Sequence, residues 1–116
     1  MKRAHGRLQN WSNAVENNRR EYIQRLQLVI HQLHGCDSTW EKSVPVVETF
    51  NGQTVWDGDV EVFQVDHPKT RTAYAWSDAD GNFTAVLGVP PATDPRNAVK
   101  VSIVAAAKKG GFNAER

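Results

Sequence analysis

Asp57, Asp59 and Glu61 alternate along a run of β-forming residues, and His67 follows six positions later. At the two-residue period of a strand, three carboxylates fall on one face. Crowded carboxylates raise one another's pKa unless cations stand opposite them. A carboxylate so tuned, with an imidazole nearby, is the equipment of general acid–base catalysis. The plainer reading is a sheet face that is solvated or partnered by basic residues. His31, His34 and Cys36 are a second cluster, since imidazoles three residues apart share a helix face and a thiolate completes a zinc-type donor set. No fourth ligand stands at a telling spacing, although His67 or Asp37 could approach. Capping of a helix end by the imidazoles and burial of the thiol account for all three without a metal. Asp78-x-Asp80-Gly81-Asn82 has the start of a calcium loop, but Phe83 stands where that loop needs Gly and Val89 where it needs a bidentate Glu. It reads as a polar turn. The chain has no Ser or Cys nucleophile motif, Gly-rich phosphate loop or dinucleotide fingerprint. The expectation is a non-enzymatic protein with no catalytic residue, no metal site and no cofactor.

Two further groups could bind rather than react. Arg19, Arg20 and Arg25, with Lys2, Arg3 and Arg7 ahead of them, could contact phosphates. Only Trp11 and Tyr22 interleave with them, and no helix-turn-helix signature accompanies them. Nucleic-acid binding is therefore an alternative and not the favoured reading. Trp56, Tyr74 and Trp76, with Phe63 and Phe83, form either a core or an aromatic-lined pocket beneath the first helix. On the pocket reading, Trp56, His67, Tyr74 and Trp76 are the ligand-binding candidates.

The elements that must position these residues follow from periodicity. Val15, Tyr22, Ile23, Leu26, Val29, Ile30 and Leu33 recur at helical spacing. Asn13 and Glu16 suggest a capping box at the start, although Trp11 and Leu8 extend the stripe backward, and Gly35 fits the position after the helix end. Val44–Phe50, Gln53–Val65, Arg71–Ser77 and Phe83–Val89 read as four strands. Asn51-Gly52 makes the first hairpin turn, and Gly58 suggests a bulge. Pro90-Pro91 stops the sheet, Asp94-Pro95 opens a last helix running to about Lys109, and Gly110-Gly111 ends it.

Charge is sorted along the same lines. Residues 1–35 carry six cations against two acids, residues 36–94 three against ten, and residues 95–116 five against one. An acidic sheet thus lies between two basic helices, beneath a net charge of only +1. The 116 residues, 40% hydrophobic and 23% charged, suit one domain with an ordinary core. No apolar run approaches the ~20 residues of a membrane span, and none follows the basic N-terminus as a signal peptide requires. The single cysteine allows no internal disulfide, which points to the cytoplasm.

The run Glu48-Thr-Phe-Asn-Gly-Gln-Thr-Val-Trp-Asp-Gly-Asp-Val-Glu-Val-Phe63, then His67-Pro-Lys-Thr-Arg-Thr-Ala-Tyr-Ala-Trp-Ser77, Phe83-Thr-Ala-Val-Leu87 and Pro90-Pro91, resembles small bacterial proteins of unassigned activity carried on integron gene cassettes. The resemblance covers roughly residues 44–107 and implies a small cytoplasmic protein encoded on a mobile element, with no catalytic residues to carry over. Residues 72–108 also resemble, more faintly, an antitoxin domain of the HicB type: hairpin, proline-bearing loop, amphipathic helix. That family's loop carries Pro-Gly-Cys-x-Thr, where this chain has Pro-Pro-Ala-Thr-Asp-Pro.

The expected fold is α+β: a long N-terminal helix, a four-stranded antiparallel β-meander and a C-terminal helix packed on the sheet. It forms a single domain over 1–116, with 1–12 and 110–116 flexible. The expected function is a binding module that self-associates into a homodimer or higher homo-oligomer through Tyr22, Leu26, Val29, Ile30 and Leu33. The alternatives are a nucleic-acid-binding or antitoxin-like protein and a small-molecule pocket. No membrane partner is expected.

Overall fold

The computed structural model describes residues 2–78 and 80–106, with side chains from residue 18 onward. Helix α1 spans Lys2–His34, strands β1 to β4 span Ser38–Phe50, Gln53–His67, Thr70–Ser77 and Phe83–Leu87, and helix α2 spans Pro95–Ala106. The strands form one antiparallel sheet in the order β1-β2-β3-β4. This is the expected α+β arrangement, with a helix packed on each face of the sheet.

Alternation along the strands builds two cores. On one face Phe63, Val65, Ala73, Ala75 and Ala85 pack against Leu26 and Ile30 of α1. The three alanines keep this face low, so a helix carrying larger side chains can sit close on it. On the other face Val46, Val60, Val62, Tyr74 and Trp76 pack against Ala98 and Val99 of α2. A sheet apolar on both faces buries both only if a helix covers each, which is why α1 and α2 lie on opposite faces.

The turns obey their local chemistry. Gly35 at φ 70° closes α1, its amide donating to His31 O at 2.9 Å. Asn51 and Gly52, at φ 54° and 77°, form the β1–β2 hairpin turn. Asp94 caps α2, with Oδ1 accepting from the Asn97 amide at 2.8 Å.

Four expectations need correction. Helix α1 starts at Lys2, so Asn13 and Glu16 lie inside it and do not cap it; the stripe through Leu8 and Trp11 signalled the longer helix. Strand β1 starts at Ser38 rather than Val44, because Trp40 and Lys42 already pair with β2. Gly58 is not a bulge: it pairs in register with Val46, and the register shifts lie at Trp40/Lys42 and Glu48/Thr49. Trp56, Tyr74 and Trp76 face α2, not α1, since strand parity puts them with Val60 and Val62. The expected helix end at Lys109 with Gly110-Gly111 and the flexible tail at 110–116 lie outside the described residues, as do the side chains of 1–12.

Gly58 has a different purpose. A Cβ there would stand 3.1 Å from Cη2 of Trp56 and 3.3 Å from Cζ2. The glycine lets the indole lie across the strand, where it meets Trp76 edge-on at 6.0 Å between ring centroids. Gly58→Ala is expected to displace the Trp56 ring and destabilise the chain by about 1–3 kcal/mol in urea unfolding, as overpacking does. Unchanged stability would mean that the ring has room to move.

Candidate functional site

Glu61 is 2% exposed, near the centre of the sheet on the face that α1 covers. A carboxylate so placed needs polar partners, because burying it bare costs several kcal/mol. Its Oε1 accepts from the indole Nε1–H of Trp40 at 2.7 Å and from the hydroxyl of Ser43 in a short hydrogen bond. Trp40 and Ser43 are three residues apart and on a regular strand would point to opposite faces. The register shift between Trp40 and Lys42 inserts Glu41 as an extra residue, so Trp40 stands opposite Phe63 and Ser43 opposite Glu61, on one face. The bulge is what lets both donors reach one oxygen.

Helix α1 joins the network through Arg19. Its Nη2 donates to Ser43 Oγ at 3.0 Å, and its guanidinium lies over the Trp40 ring, 5.3 Å from the centroid. About two turns further on, Gln27 Nε2 donates to Ser38 O at 2.9 Å. Between these contacts, α1 and β1 leave a groove of about 420 Å³ lined by Arg19, Arg20, Ile23, Gln24, Gln27 and Trp40. Trp40 remains 38% exposed, held by its N–H with part of its ring open to the groove. Arg20 and Gln24 are exposed, and among the described residues neither Arg19 nor Arg20 forms an ion pair.

The opposite face repeats the device. Glu48 of β1 is 6% exposed, and its carboxylate meets Arg96 Nε at 3.1 Å and Lys100 Nζ at 3.9 Å, both on α2. Each helix is therefore tied to the β1–β2 ribbon through one buried glutamate.

The carboxylate row divides: Glu61 turns into the interior, whereas Asp57 and Asp59 stay exposed on the same face. His67 lies at the β2–β3 turn, its Nδ1 accepting from the Lys69 amide at 3.0 Å. His31 approaches Asp37 at 3.6 Å, and His34 bonds through Nε2 to Ala85 O at 2.9 Å, tying the end of α1 to β4. Cys36 is buried, and burial, then Asp37 and Asp66, push its thiol pKa up, away from the reactive thiolate. Among the described residues no three His, Cys, Asp or Glu side chains gather as metal ligands would. Asp78 closes its turn, with Oδ1 accepting from the amides of Asp80 and Asn82 at 2.9 Å each. Those donors hold its carboxyl below the usual range, the Asn82 amide most of all.

The four ligand candidates do not form one site. Trp56 and His67 are eleven residues apart on β2, roughly 35 Å at 3.3 Å per residue. Trp56 and Trp76 meet edge-to-face. Tyr74 alone lines a second groove, of about 430 Å³, with Lys42, Val62, Thr93 and Pro95. Its hydroxyl donates to Thr93 O at 3.1 Å, and burial, then Asp94 and Glu41, raise its pKa. Of the self-association candidates, Leu26 and Ile30 are wholly buried between α1 and the sheet, Tyr22 and Val29 are half-buried beside them, and Leu33 is 60% exposed. Trp40 and Ser43 escaped the sequence reading because the bulge that groups them leaves no mark in the alternation, and Gln24 and Gln27 because polar residues beside the apolar stripe of α1 give no signal of their own.

No protein-family model, curated protein or solved structure matches this chain. Among the described residues no helix is long and apolar enough to cross a membrane.

Removing the acceptor tests the Glu61 network. Glu61→Ala leaves the Trp40 indole and the Ser43 hydroxyl without their acceptor and is expected to cost about 2–4 kcal/mol in urea unfolding. Glu61→Gln retains a carbonyl acceptor and should cost only about 1 kcal/mol. Equal losses for the two would show that the hydrogen bonds contribute nothing.

Proposed function

We propose that the chain is a non-enzymatic binding module whose binding surface is the groove between α1 and β1. The observation that carries this reading is Trp40: an aromatic ring 38% exposed, fixed at its N–H by a buried carboxylate and flanked by two arginines without acidic partners among the described residues. A ring held in place loses little freedom on binding, which is the property of a recognition anchor. The guanidiniums present planar, bidentate donors suited to carboxylates. The groove thus fits an acidic segment that carries an apolar side chain.

The non-enzymatic reading rests on how the ionisable groups are used. Glu61 and Glu48 face their own helices, His34 holds the end of α1, and His67 caps a turn. None stands beside another acid or base in a cleft, as acid–base chemistry requires. Nucleic-acid binding has less support, because among the described residues one half-exposed aromatic faces the arginines where strand-binding surfaces set out several.

The test is a titration of the chain with the peptide Ac-Asp-Phe-Asp-NH₂, following the Trp40 indole N–H in a ¹⁵N-correlated spectrum. A saturable shift at roughly millimolar peptide is expected for so few contacts. It should vanish in Arg19→Gln/Arg20→Gln and with Ac-Asn-Phe-Asn-NH₂. In the monomeric chain, an indole signal that does not respond to the acidic peptide would refute the groove as the binding surface.

A further inference from the structure

The β2–β3 pairing ends at Glu61↔Ala75, whereas β1 and β2 continue pairing to Phe50↔Gln53. Residues 44–60 are therefore a two-stranded arm extending beyond that pairing. Its α2 face is clothed: Val46 and Val60 are buried, and Glu48 is paired with Arg96 and Lys100. Its α1 face is uncovered among the described residues. Pro45, Val47, Asp57 and Asp59 are all exposed there, with Pro45 opposite Asp59 and Val47 opposite Asp57. Val47 is 51% exposed, and Phe50 and Val55, near the tip, are 68% and 45% exposed. Among the described residues Asp57 and Asp59 form no ion pair.

The arm thus displays what the groove takes: carboxylates beside apolar side chains, against arginines beside Trp40 and Ile23. Building on the groove reading, we infer that its occupant is the 44–60 arm of a second copy of this chain. Asp57 and Asp59 meet Arg19 and Arg20, and the apolar residues of the arm meet Trp40. Arm and groove lie on the same side of the sheet, and Trp40 and Val47 are seven residues apart on β1, roughly 23 Å. A twofold axis between them brings each arm to the other copy's groove, so the contact is made twice and closes as a dimer. Simple edge-to-edge strand pairing is the poorer route. The β1 edge carries Pro45, Lys42 and the bulge at Glu41, the features that discourage strand addition.

A charge exchange tests this occupant. Arg20→Glu and Asp57→Lys/Asp59→Lys alter only exposed side chains, and circular dichroism will verify that both variants fold. Light scattering after size exclusion is expected to give twice the 13.0 kDa chain mass for the wild type at low salt and the single-chain mass for each variant alone. An equimolar mixture of the two variants should recover doubled mass that neither gives alone, because one contact of the mixed dimer keeps the native pairing of Asp57 and Asp59 with Arg19 and Arg20, and the other gains an opposite-charge pair at position 20. A monomeric wild type, a variant that stays dimeric alone, or a mixture that stays monomeric would each overturn the inference. The peptide titration separates the two levels. A monomeric chain whose Trp40 responds to Ac-Asp-Phe-Asp-NH₂ refutes the second copy and leaves the groove standing. If Trp40 of Asp57→Lys/Asp59→Lys, whose groove lacks its occupant, also ignores the peptide, the groove itself is refuted.

Discussion

A carboxylate leaves water only if other polar groups replace the water it loses. Among the described residues two stand under that constraint, Glu61 on one face of the β1–β2 ribbon and Glu48 on the other. Much of the architecture is the answer to it. Glu48 is met by Arg96 and Lys100, which fixes α2 against β1. Glu61 is met by Trp40 and Ser43, and through Ser43 by Arg19, which fixes α1 across the same ribbon. Hydrophobic burial of Leu26, Ile30 and Phe63 on one face and Val60 and Val99 on the other supplies the bulk of the stability. It is non-directional, however, and would accept a helix slid by a turn. The glutamates do not accept that slide, because each needs particular donors within hydrogen-bond reach.

The Glu61 network also makes a surface. Trp40 stands at the border between core and solvent, and its N–H must point inward to satisfy the carboxylate. The ring is thereby presented at a set angle beside Arg19, and the groove inherits that rigidity. The bulge at Glu41 is the small backbone irregularity on which this turns, since without it Trp40 would point to the α2 face.

The order and type of the elements were legible in the sequence because they rest on strong local signals. Helical spacing from Tyr22 to Leu33, Asn51-Gly52, and Asp94-Pro95 each say what they do. The sorting of charge into basic ends and an acidic centre also had a physical meaning: both buried glutamates lie in the centre, and the arginines and the lysine linked to them lie in the ends. The candidate site was not legible. Two of its residues meet only through a bulge, and a bulge shifts parity without changing composition. Gly58 was misread for a related reason, since a glycine in a strand marks either a bulge or a close approach, and here the approach is that of Trp56. Nor could alternation tell which of Asp57, Asp59 and Glu61 would be buried, because all three share a face and only the position of α1 distinguishes them.

The most direct measurement of the central claim is hydrogen exchange at the four tryptophan indoles, with Trp40 assigned by Trp40→Phe. An indole N–H exposed to water exchanges quickly, whereas one bound to a buried carboxylate exchanges only when that region opens. The account predicts that the Trp40 N–H, on a ring 38% exposed, exchanges as slowly as the amides of β2 and becomes fast in Glu61→Ala. Fast exchange in the wild-type chain would contradict it, for Trp40 would then be a loose surface residue and Glu61 would lack the partner that orders this face.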